Sequence, residues 1–292
     1  MKVYQVNVVC GTGSTGRIVA GLYDLILQAG GECRIAYGRG SAPEGMNAVR
    51  ISGTADIYHH ALMTRMTDRH GLFSGRATRR LIRDIEAFSP DIIHLHNIHG
   101  YYVNYRMLFE FLSRYQRKVI WTLHDCWPFT GHCAYYDYSK CEKWKAECEK
   151  CANRKEYPAA WRDASRDNYL AKKSAFLSVK DMTIVTPSEW LRGEIKKSFL
   201  QDVPCEEIPN GIDLSVFRPA EETLRESLGI SDRKLLLGVA NIWEKRKGLE
   251  DFIRLRSMLG QEYTICLVGL TKAQIEKLPE GMIGIRRTES VQ

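Results

Sequence analysis

The sequence predicts an α/β protein made of two Rossmann-like units with parallel sheets, the second incomplete. Three observations carry that reading. Short apolar runs rich in β-branched residues alternate with helical patterns, the order expected of parallel strands linked by helical crossovers. Gly11-Thr12-Gly13-Ser14-Thr15-Gly16 follows the first run and opens the first helix, where backbone N–H groups can approach an anion. A turn-rich segment, Pro209 to Pro219, closes the series, and the same pattern restarts at Leu235.

In chain order, strands are expected at Val3 to Val9, Cys33 to Tyr37, Ile92 to Leu95, Val119 to Leu123, Thr183 to Thr186 and Cys205 to Ile208. A helix over Thr15 to Ala29 would place Ile18, Leu22, Leu25 and Ile26 on one face, with Gly30-Gly31 stopping it. A second over Arg76 to Phe88 would bury Leu81, Ile82, Ile85 and Phe88 before Pro90 ends it. Past the hinge, Leu235 to Val239 reads as strand, Leu249 to Leu259 as helix and Tyr263 to Val268 as strand. The expected division is residues 1–208 as a first domain, 209–219 as hinge and 220–292 as a partial second domain.

Asp125 to Pro158 breaks the pattern. It carries Trp127, Phe129, Tyr135, Tyr136, Tyr138 and Trp144, too many aromatics for a disordered insertion, and a long loop in a compact domain is usually functional. Within it Cys133, Cys141, Cys148 and Cys151 end in the C-x-x-C spacing of a zinc knuckle. A structural zinc is expected to organise a loop lacking its own core; redox-active or buried thiols are the alternatives. Four cysteines would close the coordination sphere, so a catalytic metal is not expected.

With 44% hydrophobic residues over 292 positions, the chain can bury a sizeable core. The N-terminus has no signal-peptide pattern and no run of roughly 18 apolar residues occurs, so a cytoplasmic protein is expected. The net charge of +7 is concentrated in Arg65, Arg69, Arg76, Arg79, Arg80 and Arg83, opposed only by Asp68 between Leu62 and Arg83. Such a stretch is either a solvated face or a contact for an anionic membrane or phosphate-bearing acceptor. Aromatics are not interleaved with it, which argues against nucleic acid.

The glycine loop alone would also suit a dinucleotide. The acid expected to cap the second strand is missing, however: that strand ends Ala36-Tyr37-Gly38-Arg39, which leaves NADP open but disfavours NAD. His94-Leu95-His96-Asn97-Ile98-His99-Gly100 and Trp121-Thr122-Leu123-His124-Asp125 end two predicted strands, where ligand sites of parallel sheets gather. His124 reads as functional and His94 as core. In the second unit Asn241-Ile242-Trp243-Glu244-Lys245-Arg246-Lys247-Gly248 sets three basic residues at a strand end, suited to a diphosphate or simply solvated.

Together these segments resemble the retaining GT-B-fold glycosyltransferases of family four, near the colanic-acid and capsular polysaccharide branch. The likeness rests on the first strand and glycine loop, Pro90 to Asn97, Trp121 to Asp125, Thr186-Pro187-Ser188-Glu189-Trp190-Leu191, the hinge, and Arg246-Lys247-Gly248. It implies sugar transfer from a nucleotide-sugar to a saccharide or polyprenyl-linked acceptor, peripheral at the inner face of the cell membrane, without a catalytic metal. His124 would contact the donor sugar, Gly13 and Ser14 would approach the diphosphate, and Lys247 would neutralise it. His96, Asn97 and Asp125 would lie on the acceptor side. Asn241 stands where the family has an Arg, so Arg246 would supply that charge. The family's paired glutamates would fall beyond Val291, so this chain is expected to transfer little. The alternatives are a non-catalytic fragment binding an acceptor or partner, and an NADP-dependent oxidoreductase.

Overall fold

The computed structural model describes residues 1–219, 224–230 and 232–286. Contacts divide the chain into two units, Met1–Gly211 and Ile212–Gln292. The first is built on seven parallel strands in the order β3-β2-β1-β4-β5-β6-β7. They are β1 (Lys2–Val9), β2 (Glu32–Arg39), β3 (Ala48–Arg50), β4 (Ile92–Leu95), β5 (Lys118–Thr122), β6 (Met182–Thr186) and β7 (Cys205–Glu207). The strand order reverses between β1 and β4, and open sheets of this kind bind ligands at the carboxyl edge of that switch point.

Six helices connect these strands: α1 (Gly13–Gln28), α2 (Thr54–Thr67), α3 (Gly75–Phe88), α4 (Tyr105–Tyr115), α5 (Ser165–Phe176) and α6 (Glu189–Ile195). On α1 the buried residues are Gly16, Val19 and Tyr23, whereas Leu25 is exposed, so the face expected from Ile18, Leu22, Leu25 and Ile26 is rotated. The cause is close packing. A Cβ on Gly16 would come 3.1 Å from Val9 Cγ2, and the Tyr23 hydroxyl turns inward to accept the Asn47 N–H at 3.0 Å. The α3 reading holds, with Leu81 and Ile85 fully buried.

The main core lies against β4 and β5, where Trp121, Phe109 and Phe176 meet with centroids 4.5 to 5.2 Å apart. Burial of such rings is worth roughly 3 to 5 kcal/mol each by truncation. The Trp121 indole N–H donates to the His96 carbonyl at 2.9 Å, so the core holds the end of β4 directly.

The second unit contains α7 (Leu224–Ser227), β8 (Lys234–Val239), α8 (Leu249–Met258), β9 (Tyr263–Leu270), α9 (Lys272–Ile275) and β10 (Met282–Arg286). Its strands are parallel in the order β10-β9-β8. Trp243, Ile265, Leu267 and Leu270 form its core.

The Cys-rich insertion has a core of its own. Trp144 packs on Tyr136 and Phe129 with centroids 4.8 and 5.1 Å apart, and its indole N–H donates to the Cys141 carbonyl. Lys172 of α5 pins the start of the insertion, with Nζ donating to Trp127 O at 2.7 Å and Thr130 O at 3.0 Å. Full burial draws that ammonium's pKa down to about 7.

The expected zinc set is not formed. Cys133, Cys141, Cys148 and Cys151 line one small cavity of about 20 Å³, but among the described residues no three His, Cys, Asp or Glu side chains are arranged to hold a metal. Two of these sulfurs accept hydrogen bonds instead, Cys148 Sγ from the Gly131 N–H at 3.2 Å and Cys133 Sγ from Asn153 Nδ2 at 3.9 Å, and the aromatic trio packs the insertion.

Candidate functional site

At the carboxyl edge of the first sheet, the β1, β4 and β5 ends bring together three loops. Register sets this up: Val6 pairs with Leu95 and Leu95 with Trp121, so the residues just past Leu95 and Thr122 emerge side by side. The His96 N–H bonds Val6 O and the Leu123 N–H bonds Val185 O, both at 2.9 Å, fixing the exits of β4 and β5. There His96 Nδ1 lies 3.2 Å from His124 Nε2, with the rings stacked at 11°. One nitrogen of that pair must donate and the other accept. Behind them the His94 ring lies 4.2 Å from His96 and its Nε2 meets Thr122 Oγ1 at 2.8 Å.

These imidazoles are neutral at pH 7. Burial, then the neighbouring His124, pulls His94 down to about 4. Burial also holds His96 well below its ordinary value and lowers His124 against the pull of Asp125. His124 is only partly buried, so it can present a neutral imidazole to a ligand. His96 Nε2 is buried with no hydrogen-bond partner among the described residues.

Asn7, fully buried on β1, ties two of the loops together. Its Oδ1 accepts the Asn97 N–H at 3.2 Å, while Nδ2 donates to Val9 O at 2.8 Å and to Thr15 Oγ1 at 3.3 Å. Within the glycine loop, Gly11 has φ +68° beneath Pro43, and Gly13 has φ +65° with nothing within 4 Å of the point where a Cβ would stand. Gly13 and Ser14 are exposed at the start of α1, whose first turn has neither a side-chain cap nor an acid. Those N–H groups face an anion-friendly end of the helix dipole.

Asp125 points the other way, into the protein. Its Oδ2 pairs with His99 Nε2 at 2.8 Å and its Oδ1 accepts the Trp127 N–H at 3.0 Å, while His99 Nδ1 meets the Tyr157 hydroxyl at 3.0 Å. Burial alone would raise this carboxyl, but His99 and the Trp127 N–H outweigh it and hold the pKa below the ordinary range. Asn7, His99 and Tyr157 are not among the residues expected from the sequence. His99 sits inside the His-rich run and could be read from it; Asn7 and Tyr157 are drawn in by tertiary contacts with no local signature.

In the second unit Asn241 follows β8, and Lys245–Lys247 forms a single 3-10 turn. Gly269, at φ +95°, leaves room for Ala240, whose carbonyl would lie 1.7 Å from any Cβ there. The Trp243 indole N–H donates to Val268 O and Gln274 Nε2 to Trp243 O, so the turn is clamped from two sides. Arg246 Nε lies 3.3 Å from Glu244 Oε2, and Lys247 is exposed. Asn241, Arg246 and Lys247 are thus gathered at one strand end. The paired glutamates expected past Val291 lie outside the described residues.

A seven-stranded parallel sheet followed by a second, smaller parallel sheet matches the α/β architecture of GT-B glycosyltransferase structures. The family model for glycosyltransferase family 4 matches residues 15–216, and the chain belongs to that family. A protein of Escherichia coli strain K12, WcaC, assigned as a colanic acid biosynthesis glycosyl transferase, is 27% identical over 231 residues, covering 74% of this chain. The chain spans 55% of the length of that relative.

Among solved structures, sucrose-phosphate synthase from Thermosynechococcus elongatus superposes with TM-score 0.63 at 11% identity, covering 98% of this chain and 70% of that one. WaaG, a glycosyltransferase of lipopolysaccharide biosynthesis, gives 0.61 at 13%, over 98% and 70%. Anabaena HepE in complex with UDP and glucose gives 0.58 at 12%, over 99% and 70%. Family membership displaces the nicotinamide reading of the glycine loop. Among the described residues, no helix is long and apolar enough to cross a membrane.

Proposed function

We propose that this chain belongs to an enzyme that moves a sugar, with retention, from a nucleotide-sugar to a saccharide or polyprenyl-linked acceptor in surface polysaccharide assembly. The observation that carries the reading is the neutral His96–His124 pair at the carboxyl edge of the switch point, beside the exposed N-terminus of α1. The assignment of WcaC to colanic acid biosynthesis supports the polysaccharide class, and the complexes of HepE with UDP, glucose and UDP-glucose support the donor class.

In this reading His124 hydrogen-bonds a hydroxyl of the donor sugar, a task for a neutral imidazole. His96 holds its ring. As the bond from sugar to diphosphate breaks, negative charge grows on the leaving group. In the first unit the N–H groups of Gly13 and Ser14, and in the second the cations of Arg246 and Lys247, are each of the kind that stabilises such charge more in the transition state than in the ground state. Asn241 completes the polar turn that carries those two cations. His96 and Asn97 lie toward the acceptor, while Asp125, turned into the protein, acts through His99 and Tyr157 as a positioning residue. Peripheral contact with the membrane's inner face brings the enzyme to a lipid-linked acceptor.

The test is transfer by the intact protein from a panel of nucleotide-sugars to a polyprenyl-diphosphate-linked saccharide, with the product's anomeric configuration read by NMR. Transfer with retention that falls at least about a hundredfold in both His124→Ala and Lys247→Ala is expected. Unchanged rates in both variants would remove these residues from the site, and an inverted product would overturn the mechanism.

A further inference from the structure

Helix α2 is built the wrong way round for a helix facing water. Its inner face carries the polar residues His60 and Thr64, both fully buried. There His60 Nδ1 meets Ser74 Oγ at 2.7 Å and Nε2 accepts the Gly71 N–H at 3.1 Å. Its outer face carries Tyr58, Leu62 and Met66, which are 72%, 54% and 44% exposed. Their spacing of four residues makes one continuous apolar stripe along the helix.

Trp161 extends the stripe. It is 66% exposed, and its backbone N–H donates to the Arg65 carbonyl at 2.7 Å, which fixes it beside the last turn of α2. Arg65, Arg69 and Arg162 are exposed around this end. The neighbouring carboxylates are committed elsewhere. Asp68 serves His132 and the Ala164 N–H, Asp56 the Gly53 N–H, and Asp163 the Ser165 hydroxyl and the Cys151 N–H. Arg80 of α3 reaches back to the Ile51 carbonyl just before α2, and with Arg76, Arg79 and Arg83 it lines a cationic recess of about 320 Å³.

An apolar stripe with a Trp at one end and arginines around it that pair with no carboxylate among the described residues has the composition of a surface that lies in a lipid interface. Apolar side chains enter the acyl boundary, the indole sits at headgroup level, and arginines meet anionic lipid. We propose that the outer face of α2, with Trp161, is a docking surface for an anionic lipid bilayer. This deepens the lipid-linked acceptor reading: it assigns contact to the apolar stripe, with the arginines of α3 adding only the electrostatic part.

The experiment is sedimentation of the intact protein with vesicles of phosphatidylglycerol and phosphatidylethanolamine, and with phosphatidylcholine vesicles, none containing a sugar acceptor. Binding to the anionic vesicles is expected, weakened about tenfold by Leu62→Gln with Met66→Gln and likewise by Trp161→Ala. Circular dichroism checks that these exposed substitutions leave the fold intact. No binding to anionic vesicles, or binding that these variants leave unchanged, would overturn the proposal. So would a dimer, seen by light scattering, that the same substitutions dissolve without any vesicle binding. Because no acceptor or donor is present, vesicle binding by a protein that transfers no sugar would sink the enzymatic reading and leave this one standing.

Discussion

His96 Nδ1 sits 3.2 Å from His124 Nε2, between two rings stacked at 11°. The pair links a fully buried position to a partly exposed one, so His96 acts as a brace for the side chain that faces the ligand. His96→Ala should lower sugar transfer about tenfold, the worth of one positioning hydrogen bond, with the larger part in kcat. A loss confined to KM would show that His96 sets uniform binding instead.

Acid should unfold the first unit early. His60 and His94 have folded pKa values of about 3 and 4 against an ordinary 6.5, because burial disfavours the imidazolium. Their folded pKa values are depressed, so the stability they allow is complete above pH 6.5 and is lost as pH falls from there toward 4. Urea unfolding across that window should show a loss of several kcal/mol. His60→Gln, if it folds, should flatten the slope, and an unchanged slope would mean that His60 titrates normally.

Asn7 should be hard to replace. Asn7→Ala strips the Asn97 N–H and Thr15 of their shared partner, a fully buried side chain, and about 2 kcal/mol of stability should go with it. Amide hydrogen exchange should rise at Asn97 and around the glycine loop. Protection that stays at its wild-type level there would count against Asn7 as the link between them.

The insertion should behave as a small packed body. Trp144 is almost fully buried against Phe129 and Tyr136, so Trp144→Ala should cost roughly 3 to 5 kcal/mol. Differential scanning calorimetry would read this directly, and a change within about 0.5 kcal/mol, the range of surface substitutions, would show the trio to be dispensable.

Six of the seven strands of the central sheet are legible in the sequence, most of them as apolar runs bounded by turn residues; Ile92–Leu95 matches to the residue. The short β3 and helix α2 are not legible. Three residues of edge strand carry too little pattern, and α2 turns Tyr58, Leu62 and Met66 outward and buries His60 and Thr64, where helical periodicity misleads. His96 and His124 stand out because both end predicted strands. The brace between them does not, since it depends on the register of β4 against β5. The cysteines mislead for a related reason: their spacing is local, while the aromatic core that organises the insertion draws on Phe129, Tyr136 and Trp144, which have no common period.

The central claim, that His124 touches the sugar of the donor, is tested most directly by calorimetric binding of a nucleotide-sugar and of the bare nucleoside diphosphate to the wild type and to His124→Ala. Loss of about tenfold in affinity for the nucleotide-sugar, with the bare diphosphate bound equally by both proteins, is the expected result. Equal affinities of both proteins for the nucleotide-sugar, or an equal loss for both ligands, would contradict it.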